Sequence, residues 1–207
     1  MNVLTLPCEI LIQDIDKLSY QDWLAVRRSG IGGSDVAAAI GLSAWKSPIE
    51  VWEEKAIGKM QLKNDNESMR WGRLLEPLIR EEFSRRSGLT VQSLRSMLQH
   101  PVHKFMLANL DGLVLDPVRG PGVLEIKTAS TYAKADWEGG KVPDHYMLQL
   151  QHYLAVSGLE FAVIVVLLGG NQLQWQIVES DLELIENMIT LEANFWHHVT
   201  EKVPPPV

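Results

Sequence analysis

The chain predicts an α/β (α+β) fold, a single domain with a central mixed β-sheet flanked by helices. Three observations carry that expectation. Its 207 residues suit one domain with a real core. Capped amphipathic stretches fill residues 18–88. From residue 89 the pattern turns to short apolar runs punctuated by turn residues, with helical stretches at 144–158 and 180–202. Helices followed by three strands, a helix, two strands and a helix is the order of a mixed sheet covered by helices. The domain is assigned to 1–202, with 203–207, "VPPPV", as a loose C-terminal tail.

Each element follows from its residues. "LSYQDWLAVRRSG" (18–30) reads as a helix capped by Ser19 and ended by Gly30. "GIGGSDVAAAIGL" (30–42) is a glycine-rich turn leading into a short helix that starts at Ser34 or Asp35. "SPIEVWEEKAIG" (47–58) has Ser47 as cap, Pro48 in the first helical position and Glu50 where a capping box places its acid. "NESMRWGRLLEPLIREEFSRRSG" (66–88) predicts a long helix that Pro77 kinks or breaks, with Leu74, Leu75, Leu78 and Ile79 turned inward. "LTVQSL", "KFMLANLDGLVLD" and "GVLEIKTA" read as strands, the last two joined by the turn "PVRGPG". "DHYMLQLQHYLAVSG" (144–158) reads as a helix closed by Gly158; "FAVIVVLLGG" and "LQWQIVE" are the last strands, before the amphipathic helix at 180–202.

Composition sets outer limits. A hydrophobic share of 46% with 22% charged residues is that of a soluble globular protein. A net charge of −7 does not exclude a nucleic-acid partner, because a local basic groove can hold phosphate at negative net charge. The single cysteine, Cys8, cannot form an internal disulfide, which fits a reducing cytoplasm. "MNVLTLPCEI" lacks the features of a secretory leader, and "FAVIVVLL" is far too short to span a bilayer, so a cytoplasmic location with no membrane contact is expected.

The unusual feature is the pair of charges in "LEIK". In a strand, Glu125 and Lys127 share one face, while Leu124 and Ile126 take the other. An antiparallel return through "PVRGPG" brings Asp111 of "LDG" near Glu125. Two carboxylates and an ammonium at one spot suit Mg²⁺, which takes one or two protein carboxylates and keeps waters. Such an ion activates water and polarises a phosphoryl oxygen, while Lys127 positions or deprotonates the water or offsets charge. The chemistry indicated is phosphodiester hydrolysis; the alternative is a surface ion pair of Glu125. Glu76 at the core edge and Gln149 on the following helix are candidates to join the site, their alternatives being a solvated acid and a helix-surface amide. The turn "RRSGIGGSD" offers backbone N–H groups to an anion, with Arg27 or Arg28 and Ser34 beside it, or else is a plain connection between helices.

In their order these segments resemble the phage-type 5′→3′ (alkaline) exonucleases, or YqaJ-like recombination nucleases, of the PD-(D/E)XK nuclease superfamily. The resemblance spans about residues 20–170 and rests on "WLAVRRSGIGGSDVAAAIG", "RWGRLLEPLIREEF", "ANLDG", "LEIKTA" and "HYMLQLQHYLAVSG". It implies a restriction-endonuclease-like core. It implies Asp111, Glu125 and the carbonyl of Ile126 as Mg²⁺ ligands, Lys127 as catalytic lysine, Glu76 and Gln149 as further catalytic residues, and Arg27, Ser34 and Asn109 around a terminal 5′-phosphate. Two ions per site, with Mn²⁺ as a substitute, follow from it. So do a homotrimeric ring around double-stranded DNA and a single-strand annealing protein as partner. The proline that usually precedes the first acid is Leu110 here, which removes no ligand. The Arg residues at 27–28 and 85–86, with Lys134 and Lys141, are the candidates for a basic lumen.

The resulting expectation is a Mg²⁺-dependent exonuclease of a phage or prophage recombination system. It would digest one strand of linear duplex to mononucleotides and leave 3′ overhangs. An endonuclease on the same core and a catalytically silent DNA-end-binding protein are the alternatives. The adjacent His197 and His198 lack the spacing of a one-face zinc site. Packing is the expected role of Trp137, ahead of base stacking, and "GIGG" lacks the strand and the Gly-Lys-Ser/Thr ending of an ATP loop.

Overall fold

The computed structural model describes residues 6–59 and 66–206. Residues 1–5 of the segment read for a leader, and the last residue of the tail, lie outside the described residues. Helix α1 (Tyr20–Arg28) starts at Ser19, whose hydroxyl accepts from the Asp22 N–H at 3.1 Å. Helix α2 (Gly33–Ala39) begins one residue earlier than its side chains suggest, because Ser34 spends its hydroxyl on Arg27 rather than on a cap. Helix α3 (Pro48–Trp52) has the full Ser47–Glu50 capping box and runs on into a π-helical turn, Glu53–Ile57. Helix α5 (Asp144–Ser157) ends at Gly158, and α6 (Leu182–Glu201) is capped by Asp181.

Helix α4 (Glu67–Ser87) is the expected long helix, closed by Gly88, and it runs through Pro77 without a break into two. Pro77 is exposed, so its missing N–H costs one ladder bond while Ile79 and Phe83 anchor the helix to the sheet. Leu74 and Leu78 are 51% and 61% exposed rather than buried. The inward stripe runs through Leu75, Ile79 and Phe83, and Trp71, Leu74 and Leu78 form an outer apolar stripe.

The expected central sheet is two sheets. One, in the order β1 (Glu9–Ile12), β4 (Met97–Gln99), β5 (Met106–Asn109), β2 (Ile31–Gly32), is antiparallel except for its β2–β5 edge. The other, in the order β3 (Thr90–Gln92), β6 (Gly112–Asp116), β7 (Gly120–Ala129), β8 (Phe161–Leu168), β9 (Gln172–Glu179), has one parallel pair, β7–β8. The run "KFMLANLDGLVLD" is therefore not one strand. It leaves the first sheet after Asn109 and enters the second at Gly112, with Leu110 and Asp111 as the crossing. Strand β7 also outruns β6: their pairing stops at Gly112↔Leu124, while β7 continues beside β8 to Ala129.

Helix α5 packs Leu150, Tyr153 and Leu154 into the core shared with β5, β6 and β8, and α4 covers the other face of the larger sheet. Trp137, in 3₁₀ turns over Thr131–Gly140, is buried in the α5 core against Tyr146, which accounts for it as packing. In the tail, Pro205 is buried and the Val203 N–H donates to the His198 carbonyl. Among the described residues no helix is long and apolar enough to cross a membrane.

Candidate active site

Asp111 sits at the crossing between sheets because β6 begins just after it. In place of a ladder rung, its Oδ2 accepts from the Ile126 N–H at 2.7 Å. A strand residue presents its N–H and C=O to the same edge, so the Ile126 carbonyl faces the same gap. Glu125 and Lys127 project from one face of β7, as period two dictates, and Lys127 Nζ lies 2.5 Å from Glu125 Oε1. Gln149, on α5, ties the group together. Its Nε2 donates to Glu125 Oε1 at 2.8 Å and to Tyr153 Oη at 3.0 Å, and its Oε1 accepts from Lys127 at 3.1 Å. Lys127 Nζ also stands 4.7 Å from the centre of the Tyr146 ring.

The electrostatics are those of a site with unspent negative charge. Burial pushes the Asp111 carboxyl well above the ordinary range, the charge of Glu125 adds to this, and the Ile126 N–H only partly opposes it. Glu125 is 3% exposed, and its Oε2 is buried with no hydrogen-bond partner. Burial alone would lower the pKa of Lys127, but the charge and hydrogen bond of Glu125 outweigh it and raise it. Lys127 therefore keeps its proton near neutral pH.

The donors suit a hard divalent cation: an orphaned carboxylate oxygen, a second carboxylate held near it and a carbonyl at the same gap. No group of three or more His, Cys, Asp or Glu able to hold one ion occurs among the described residues, which leaves the remaining coordination to water. Glu76 is not drawn into the cluster. It pairs with Arg80 one turn along α4, although its charge reaches Asp111. His197 and His198 lie near each other on α6 and belong to no metal-holding group among the described residues.

Beside the cluster lies a cavity of about 210 Å³ lined by Trp23, Arg27, Gly33, Ser34, Asn109, Asp111 and Tyr153, among others. Arg27 rather than Arg28 lines it. Arg27 Nη2 donates to Ser34 Oγ at 3.2 Å and its guanidinium lies over the Trp23 ring, while the Arg28 guanidinium packs onto Gly58. Asn109 reaches the cavity from the last residue of β5.

Sequence reasoning assigned no place in the site to Asp35, Tyr146 or Tyr153. Asp35 is buried under the cavity wall and held by Lys55 Nζ at 2.7 Å, Arg27 Nη2 at 3.6 Å and Lys46 Nζ at 3.9 Å. Burial alone would raise its pKa, but these cations bring it far below the usual carboxylate value. Tyr146, Gln149 and Tyr153 follow a helical i, i+3, i+7 spacing, the signal that could have grouped them. His152, from the same helix, is fully buried with Nδ1 3.0 Å from Glu192 and Nε2 2.9 Å from the Leu107 carbonyl.

Known proteins resemble this chain over most of its length. The model of the YqaJ-like viral recombinase domain matches residues 22–160. The protein YqaJ of Bacillus subtilis (strain 168), itself described as uncharacterised, is 39% identical over 191 residues, covering 91% of this chain and 59% of that protein. The chain thus spans less than two thirds of the length of that curated relative. The alkaline exonuclease LHK-Exo from Laribacter hongkongensis superposes with a TM-score of 0.75 at 24% identity, covering 88% of this chain and 94% of that one. Its complex with dAMP gives 0.73 at 25% identity over the same shares. A phage-related exonuclease from Haemophilus somnus 129PT gives 0.57 at 13%, covering 84% of this chain and 96% of that one. The fold is that of the PD-(D/E)XK nucleases.

Proposed function

The chain belongs to the YqaJ-like viral recombinase domain family, and from that premise we propose that it is a Mg²⁺-dependent 5′→3′ exonuclease. It would hydrolyse one strand of linear double-stranded DNA to mononucleotides and leave 3′ overhangs for recombination by strand annealing. The observation that carries this reading is the convergence of Asp111, Glu125, Lys127 and Gln149 beside a cavity that also holds Arg27, Ser34 and Asn109. Nuclease chemistry needs the first group, and recognition of a strand end explains the second.

Asp111, Glu125 and the Ile126 carbonyl would hold the ion, which when bound supplies an activated water and a polarised phosphoryl oxygen. Glu125 carries the negative charge that fixes Lys127, and Gln149 sets the carboxylate and the ammonium relative to each other. Lys127, held by Glu125 and Gln149, would position or deprotonate the water or offset charge on the phosphoryl oxygens. Arg27 and Ser34 would grip the 5′-phosphate, with Asn109 alongside. The dAMP carried by the similar alkaline exonuclease has the form of the mononucleotide product expected here. A trimeric ring, an annealing partner and the cytoplasm of a bacterial host complete the proposal.

The test is digestion of end-labelled linear duplex with Mg²⁺ or with EDTA, on 5′-phosphate and 5′-hydroxyl ends. Mononucleotides released from phosphorylated ends only with Mg²⁺ are expected. Internal fragments from a covalently closed plasmid would instead mark an endonuclease. Binding of ends without hydrolysis would mark a silent end-binding protein.

A further inference from the structure

Tyr153 is the buried polar group that the proposed chemistry leaves half used. It is 5% exposed, yet it lines the same cavity as Arg27, Ser34 and Asn109. Its oxygen accepts from Gln149 Nε2 at 3.0 Å. Among the described residues its own O–H donates to no acceptor. A buried donor left unspent carries a desolvation cost, and native structures seldom keep one without a ligand to receive it.

The ring is also fixed in place. A Cβ on Gly33 would come within 2.4 Å of Tyr153 Cε1, so the first turn of α2 accepts the phenol only because residue 33 is glycine. Burial, with the charges of Glu125 and Asp111 adding, keeps the phenol protonated and therefore a donor. Arg27 and Ser34 supply the guanidinium and a second hydroxyl to the cavity.

We infer that Tyr153 is a further ligand of the 5′-phosphate, donating its hydroxyl hydrogen to a non-bridging phosphoryl oxygen, and that its bond from Gln149 links the end-binding cavity to the Asp111–Glu125–Lys127 cluster. This rests on the reading of the cavity as a 5′-phosphate site. An anion drawing on the Tyr153 proton makes the phenol oxygen a better acceptor for Gln149, whose amide is shared with Glu125 and Lys127. The bound end and the cutting groups are thus joined through two side chains.

The experiment uses the full chain carrying Tyr153→Phe, which keeps the ring against Gly33. Binding of fluorescently labelled duplex with 5′-phosphate or 5′-hydroxyl ends is measured in EDTA, and turnover on both ends with Mg²⁺. The expected result is a loss of about tenfold in affinity for the phosphorylated end, in the range of a hydrogen bond to a charged group, with hydroxyl-end affinity kept. Turnover on phosphorylated ends falls toward that on hydroxyl ends. Unchanged discrimination between the ends overturns the inference, and so does an equal loss on both, which would mean that Tyr153 only supports Gln149. Arg27→Gln separates the two levels. If it lowers discrimination and Tyr153→Phe does not, the inference alone fails. If the wild type does not discriminate, the reading of the cavity fails with it. A urea midpoint like that of the wild type confirms that each variant is folded.

Discussion

Asp35, which pairs with Arg27 of the cavity wall, and Asp111, which lines the cavity itself, are carboxylates that keep opposite company. Asp35 has three cations around it, from Lys55, Arg27 and Lys46, and its pKa is driven far below the usual value. Asp111 has one backbone N–H, a nearby glutamate and a raised pKa. The first is an ion whose partners are already present, and its work is to hold α2 and to fix Arg27. The second is a carboxyl whose ionised form lacks sufficient partners and is disfavoured unless something positive arrives. The cavity lined by Arg27 and Asp111 is therefore polarised, with Arg27 for an anion and Asp111 for a cation.

The sharpest way to break this contrast is to neutralise Asp111. Asp111→Asn is expected to slow hydrolysis by about 10³-fold or more without lowering the urea midpoint, since it relieves a like-charge contact. A variant that unfolds but still cuts would reverse the assignment. Asp35→Asn is expected to do the opposite. It leaves the Lys55 ammonium buried without its counter-ion and destabilises by about 3–5 kcal/mol in urea unfolding. Because the folded pKa of Asp35 lies below its ordinary 3.8, its contribution is present above that pH and fades as pH falls through the folded value. The stability gap between wild type and Asp35→Asn should hold at pH 7 and close in acid. Arg27→Gln should cut the preference for 5′-phosphorylated ends by about ten- to a hundredfold and leave hydroxyl ends less affected.

The smallest effect is expected at His152, where the contrast is sharpened by a neutralisable pair. Burial would lower its pKa, but Glu192 and the Leu107 carbonyl raise it above 6.5. Its contribution is therefore full below pH 6.5 and lost as pH rises through the folded value. The urea midpoint of the wild type should fall from pH 6 to pH 9 more than that of His152→Gln.

Much of this was legible because it is local. Caps at Ser19 and Ser47 and period-two spacing in "LEIK" are short-range rules, and they located α1, α3 and the Glu125–Lys127 pair. What escaped is what only the tertiary arrangement decides. Nothing within "KFMLANLDGLVLD" marks a change of sheet at Leu110, and the paired stretches of β1, β2 and β4 are too short to alternate visibly. Leu74 and Leu78 have the residue types of a core face, but the stripe that meets the sheet is rotated toward Leu75, Ile79 and Phe83. Asp35 and Ser34 were equal candidates for a helix start until Lys55, far along the chain, claimed one and Arg27 the other.

The early end of β6 against β7 has a further consequence. Were β6 to carry on past Gly112, the ladder would gain rungs opposite Glu125 and Ile126, and the molecule would be sturdier. Those rungs would take the Ile126 amide away from Asp111, consume the carbonyl beside it and wall off the groove above them. The protein leaves its staircase unfinished at the one landing where a guest must step in, so lengthening that strand should trade catalysis for robustness.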